Sequence, residues 1–202
     1  RRYYARAFAI GQTIAPEGDL VLELSRRQGE CLLLEGAVGE GLEQLAEALR
    51  HARRLADRFE EGVILRCLAQ GMVMSGNLER AQRFAEDSCG ILGRVHAKQE
   101  QVVSHLVLAD ISVRRAEVPT QPDARDLLEQ AWEVMLSAHG LVLDLGVPHW
   151  SKKVQRLQSR ITRLKVENAT YRLRSESKGQ GWGPRADRVA SDRETKLSNQ
   201  DL

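Results

Sequence analysis

Aromatic side chains are scarce in this chain of 202 residues: three Trp, three Tyr and three Phe. Pro occurs only five times. Sandwiches, barrels and doubly wound sheets draw on aromatic and β-branched runs bounded by turn residues, so none of them is expected. No run of eighteen apolar residues occurs, so no membrane-spanning helix is expected. Cys31, Cys67 and Cys89 are an odd number, widely spaced and without a CxxC pair. That pattern predicts free thiols in a reducing cytoplasm and no disulfide framework. His51, His96, His105, His139 and His149 include no i, i+4 pair, and no Cys lies at ligand spacing from them. A metal site is therefore not expected. GxSxG and GxxxxGK[ST] are both missing, so neither a nucleophile elbow nor a phosphate loop is predicted. Gly179-Gln-Gly-Trp-Gly neither follows a strand nor opens a helix, and reads as a linker. The expectation is a protein that is not an enzyme and needs no cofactor.

What is abundant is helix-forming. Leu supplies 27 positions and Ala 21, and with Glu, Lys and Arg they fill 96. A share near one half accompanies long helices when a helical period goes with it. The net charge of +2 conceals an asymmetry. Between Trp150 and Arg174 eight basic residues face Glu167 alone, a local charge of +7. Residues 175–202 balance, which leaves −5 on the first 149. Arg1-Arg2-Tyr3-Tyr4 already lies in a helical pattern with no apolar signal core behind it, and reads as part of a longer protein.

Sliding the chain by forty residues superimposes it on itself. Gly29, Leu32, Leu33 and Gly36 fall on Ala69, Met72, Val73 and Gly76, and one step later Leu68-Ala69 falls on Leu108-Ala109. Leu45 and Ala48 fall on Ala85 and Ser88. A slip of three follows, which the loop at Pro119-Thr-Gln-Pro122 absorbs. Each unit reads as two helices: 19–35 with 38–56, 58–75 with 78–95, and 97–117 with 123–139. Asp19 is placed to cap the first of these, and Gly36, Gly76 and Gly140 to stop their helices. Small residues recur where paired helices would approach closely: Gly29, Ala69 and Ala109 on first helices, Gly41, Ala81 and Ala124 on second ones. One pair cannot bury its apolar face alone, so neighbours must stack.

A small residue, a large one three later, and Ala twelve and sixteen later resembles the tetratricopeptide repeat. Leu68, Ala69, Met72, Gly76, Ala81, Ala85 and Ser88 carry the likeness best. The repeat-closing Pro is missing and the unit is forty residues against the family's usual ~34, as in the long-helix variant of bacterial regulators. The resemblance implies an all-α fold over residues 1–146, a right-handed solenoid of antiparallel helix pairs. It also implies a concave groove lined by first helices. By alignment its ligand-facing positions are Glu23, Arg26, Glu30 and Leu33, then Val63, Arg66, Gln70 and Val73, then Val103, Leu106, Asp110 and Val113. Arg26 and Arg66 hold equivalent positions in successive repeats. Either they jointly hold a carboxylate or acidic peptide, or, as is more ordinary, they pair with Glu30 and Asp110 as surface charges. The Lys/Asn carboxylate clamp of chaperone-binding members is absent.

From Trp150 the spacing changes to a heptad. Val154, Ile161 and Asn168 occupy a, and Leu157, Leu164 and Tyr171 occupy d. Such a seam predicts a parallel two-stranded coil with Asn168 setting its register, or a helix that packs back on the last repeat as a cap. Both readings stand on the sequence alone. Clustered Lys and Arg invite nucleic acid, yet no basic region precedes the seam and no helix-turn-helix accompanies it, so nucleic acid is not the expected partner. Leu157 to Glu176, with Val166-Glu167-Asn168 at its centre, is similar to the linker coil of bacterial enhancer-binding activators of the sigma-fifty-four type. This likeness implies a regulatory region without its ATPase or DNA-reading domain. The organisation expected is therefore a repeat domain (1–146), a basic heptad helix (147–175) that is a candidate homodimer seam over 150–174, and a disordered tail (176–202). The function expected is binding of a protein, peptide or effector in the groove as the sensor of a regulator. The alternative is a nucleic-acid-binding or dimerisation scaffold acting through the basic helix.

Overall fold

The structure is a computed structural model that describes residues 2–118 and 123–177, with side chains as far as Tyr171 in the last helix. Among the described residues every regular element is a helix: α1 (Arg2–Ile14), α2 (Asp19–Leu34), α3 (Val38–Arg54), α4 (Arg58–Met74), α5 (Leu78–Arg94), α6 (Lys98–Ala116), α7 (Ala124–Leu145) and α8 (Pro148–Ser177). No helix among them is long and apolar enough to cross a membrane.

The chain turns in the same way every twenty residues. Gly36, Ala56, Gly76 and His96 all have positive φ, at 83°, 55°, 80° and 55°. At each turn two backbone N–H groups reach back to carbonyls that the helix end leaves without a partner. Gly36 N–H donates to Leu33 and Ala37 N–H to Leu32, both at 3.0 Å. Ala56 and Asp57 donate to Arg53 and Ala52, Gly76 and Asn77 to Val73 and Met72, His96 and Ala97 to Gly93 and Leu92. This left-handed cap closes one helix and launches the next within three residues, so consecutive helices reverse direction and pack together. Asp57 and Asn77 then cap the new helices, accepting from the N–H groups of Glu60 and Arg80 at 2.9 and 3.1 Å. Asp19 does not do this. Gly18 is the residue outside α2, and Asp19, already helical, accepts from the N–H of Leu20 at 2.8 Å.

Each helix packs on its neighbours in sequence, and α2, α4, α6 and α8 also touch in succession. The core follows this order as three adjoining clusters. Leu22, Leu45, Ile64 and Leu92 centre the first, Ala69, Ala81, Ala85 and Ile111 the second. Val102, Val113, Leu128, Met135, Val154 and Ile161 belong to the third. The small residues stand where helices meet. A Cβ on Gly29 would lie 2.7 Å from Leu45 Cγ, and one on Gly41 2.8 Å from Leu33 Cδ2. Ala69, Ala81 and Ala109 are wholly buried, whereas Ala124 is half-buried at the start of α7.

One expected helix end is corrected. Gly140 does not end its helix: α7 runs on to Leu145 and stops at Gly146, φ 62°. A mid-helix Gly costs about 1 kcal/mol, and burial of Val142 with partial burial of Leu141 and Leu145 outweighs it. The heptad seam packs on the repeats: Val154, Leu157 and Ile161 are buried against α6 and α7, with Leu164 packed beside them, the arrangement that the cap reading describes. Asn168 and Tyr171, the remaining seam positions, are exposed on the outer part of α8. The loop at 119–122 and the tail beyond Ser177 lie outside the described residues.

Ala56 and His96 do a glycine's work with a Cβ attached, which costs roughly 1–2 kcal/mol in the left-handed region. Ala56→Gly should therefore stabilise the chain by about 0.5–1 kcal/mol once the entropy of the new glycine is counted. Gly76→Ala should destabilise it by about as much as the left-handed penalty. Urea unfolding checks both, and a loss of stability in Ala56→Gly would contradict the turn account.

Candidate functional site

The first helices of successive pairs are tied by a repeated ion pair. Arg26 of α2 is 4% exposed and grips Glu60 of α4 with two hydrogen bonds, Nε to Oε2 at 2.6 Å and Nη2 to Oε1 at 3.2 Å. Thirty-four residues separate them, and the same interval joins Arg66 of α4 to Glu100 of α6. Arg26 also reaches Glu30 at 2.8 Å, and Cys67 donates its thiol to the same Glu30 oxygen at 3.1 Å. Burial opposes charge on Arg26, but Glu60 and Glu30 outweigh it and raise its pKa further. On Glu30 burial also works against the charge; the Cys67 thiol, Arg26 and Arg27 prevail and lower its pKa. Burial, then Glu30, pushes the Cys67 thiol up to about 12, which keeps it protonated and unreactive. Beyond α6 the series continues with partners exchanged. Arg160 of α8 donates to Asp110 at 2.6 Å and to both oxygens of Glu117 at 3.1 and 2.6 Å.

Glu30 and Asp110, two of the acids in these contacts, line a cleft of about 640 Å³ that crosses α2, α4, α6 and α8. Two rows of equivalent residues line it, forty apart along the chain. Glu30, Gln70 and Asp110 form one row, and Leu34, Met74 and Arg114 the other. Leu33, Val73, Val103, Leu106 and Val107 supply apolar surface between them, and Trp150 and Lys153 of α8 close the far end. Leu34 and Met74 are 87% and 51% exposed. The acids are already answered within the chain: Glu30 by Arg26 and Arg27, Asp110 by Arg114 at 2.7 Å and by Arg160. Lys153 lies 4.9 Å over the Trp150 ring. The cleft is thus a largely apolar strip whose acids are neutralised, with Lys153 at its far end.

Of the positions carried over from the repeat family, Glu30, Leu33, Gln70, Val73, Val103, Leu106 and Asp110 do line this cleft. Others do not. Arg26 and Arg66 form no shared anion cradle: Arg26 does pair with Glu30 and Arg66 meets Glu100 in place of Asp110, but both are buried ties between helices and not surface charges. Val63 and Val113 are core residues at 3% and 0% exposure, and half-exposed Glu23 sits outside the cleft beside Arg26 and Arg27. In α4 only the carboxyl-terminal half reaches the cleft, through Gln70, Val73 and Met74, whereas α6 lines it from Val103 to Arg114. Leu34, Met74, Val107, Ile111, Arg114, Trp150 and Lys153 were not foreseen. The row 34–74–114 lies one helical turn beyond 30–70–110 and repeats at the same forty, a signal the sequence did carry. Glu60 and Glu100 were equally readable as the doubled interval of thirty-four.

Comparison with models of known protein families and with curated proteins finds no match. Among the described residues no group of three His, Cys, Asp or Glu is placed to hold a metal ion.

Arg26→Ala should destabilise the chain by about 3–5 kcal/mol, because it strands the Glu60 carboxylate against the core. Glu60→Gln, which keeps a hydrogen-bonding partner for the guanidinium, should cost less. Equal costs in denaturant titrations would show that packing, and not the stranded charge, governs the site. A second outcome concerns His105 on α6, whose Nδ1 is buried with no hydrogen-bond partner among the described residues. Burial lowers its pKa from 6.5, so its neutral form favours the folded state. The stability it secures is complete above pH 6.5 and drains away as the pH falls through the lower, folded value. Replacing it by Gln should flatten the decline in unfolding free energy between pH 7 and 5; an unchanged slope would contradict this assignment.

Proposed function

We propose that the chain is a non-enzymatic protein-interaction module: a right-handed, tetratricopeptide-like stack of helix pairs whose cleft takes a peptide segment with an apolar face. What supports this reading is the pair of rows, Glu30–Gln70–Asp110 and Leu34–Met74–Arg114, set forty residues apart on α2, α4 and α6. A stack of like helices offers like side chains at a regular pitch, which suits an extended or helical peptide better than a compact metabolite. Because Glu30 and Asp110 are held by the chain's own arginines, affinity would come from apolar area, with Gln70 and the rims setting direction.

The module would serve a regulator as its sensor, in line with the resemblance of 157–176 to an activator's linker coil. Trp150 and Lys153 line the cleft, while the same helix continues to Ser177. An occupant touching Trp150 would favour the docked arrangement of α8 and so bias whatever that helix joins.

Selection of a displayed random-peptide library on the immobilised chain tests the proposal. The expected result is a family of peptides carrying regularly spaced Leu, Met or aromatic residues. Their binding should weaken more than ten-fold, over ~1.4 kcal/mol, in Met74→Asp and in Leu106→Asp. It should be unchanged in Arg83→Asp on the exposed face of α5. Peptides indifferent to Met74→Asp, or no enrichment at all, would count against it.

A further inference from the structure

Lys153 apart, which lies over Trp150 at the cleft, the basic side chains described on the last helix fall into two groups. Arg160 and Lys165 face inward and are neutralised, Arg160 by Asp110 and Glu117, Lys165 by Glu129 at 2.6 Å. Lys152, Arg156 and Arg163 face outward and are exposed. With Gln155, Ser159 and the flank of Arg160 they line a shallow channel of about 630 Å³ to which no other helix and no acidic side chain contributes. Lys152 and Arg156 make no ion pair among the described residues. Arg163 meets only Glu167, at 3.7 Å, with both side chains more than 60% exposed, a bridge worth little in water.

Residues 152, 156, 159 and 163 step by four, three and four, so they form one straight ridge along α8. At 1.5 Å per residue Lys152 and Arg163 stand roughly 17 Å apart, the length of about five phosphates along one strand of a duplex. The ridge has no apolar residue, and a protein partner would want an apolar centre to its contact. It has no aromatic residue either, which a single strand would want for stacking its bases. A row of separated cations on a rigid rod, flanked by neutral hydrogen-bonding groups, is suited to the phosphates of a rigid polyanion.

We infer that the outer ridge of α8, through Lys152, Arg156 and Arg163, is a docking surface for the phosphate backbone of double-stranded nucleic acid, bound without reading its sequence. The −5 carried by the first 149 residues repels the same polymer, so the chain meets a duplex by this end and leaves the peptide cleft, on another side of α8, open. The surface is independent of the peptide-binding reading.

Fluorescence anisotropy of the full chain with two labelled 20-base-pair DNA duplexes of unrelated sequence tests the inference. A single strand and polyglutamate serve as competitors. Both duplexes should bind alike at 50 mM salt. Three phosphate contacts give a logarithmic salt slope near −2.7, so affinity should fall about forty-fold between 50 and 200 mM. Joint replacement of Lys152, Arg156 and Arg163 by Gln should abolish binding without changing the circular dichroism or melting of the chain. All three are surface positions, and the single substitutions, each with about one unit less slope, serve as the second measurement. Met74→Asp, which tests the cleft, should leave duplex binding untouched. The inference is overturned by no binding at 50 mM salt, by binding that survives the triple substitution, or by polyglutamate or the single strand competing as well as unlabelled duplex.

Discussion

A left-handed residue every twenty positions is the constraint on which the architecture rests. Each helix from α2 to α5 is closed by the same two hydrogen bonds, to carbonyls that would otherwise be stranded at its end. The next helix starts two residues after the left-handed one. A constant turn at a constant interval makes each pair forty residues long and returns equivalent side chains to the same face. The stacking of Gly29 on Leu45 and Gly41 on Leu33, and the rows of the cleft, are consequences of that return. Two of the four turns use Ala56 and His96. The spacing is therefore kept even where the residue is poorly suited to it, and the favourable packing on either side bears the cost.

Ion pairs then tie the stacked pairs together. The interval of thirty-four that joins Arg26 to Glu60 and Arg66 to Glu100 runs from the middle of one first helix to the opening turn of the next. Buried pairs of this kind add less to stability than their short distances suggest, because two ions must leave water. Their value here is positional: a carboxylate held by an arginine fork admits few alternative registers between α2, α4 and α6. They also neutralise the acids of the cleft. Arg26 takes up Glu30, and Arg160 takes up Asp110, so what remains open between the helices is largely apolar.

The forty-residue self-similarity made the helices and their pairing legible, together with most of the close-packed small residues. It failed at Gly140, where a residue that usually stops a helix lies inside one because the apolar stripe continues past it. Half of the cleft was legible too. The positions carried over from the repeat family included Glu30, Gln70, Asp110 and Leu106, but also took in Val63 and Val113, whose side chains face the core. The arginines were legible as a repeated pair and illegible as buried ones, since burial depends on what the neighbouring pair places over them. Trp150 and Lys153 could not be read as cleft residues at all. Their helix breaks the period, and only its packing on α6 and α7 brings them there.

That packing separates two accounts of α8. A heptad seam is ambiguous by nature, because any apolar stripe of the right spacing satisfies either a second copy or the chain's own body. Val154, Leu157 and Ile161 are buried on the body, and Arg160 and Lys165 clasp it from either side. The exposed stretch from Val166 to Tyr171 makes no such contact. Hydrogen exchange of the full chain, followed peptide by peptide at several concentrations, is the most direct test. The account predicts amides of residues 152–164 protected to a degree comparable with α6 and independent of concentration, with those of 166–171 exchanging far faster. Protection that spreads over the whole of 150–174 and appears only as concentration rises would mean that the seam belongs to a coil between two copies, and would contradict it.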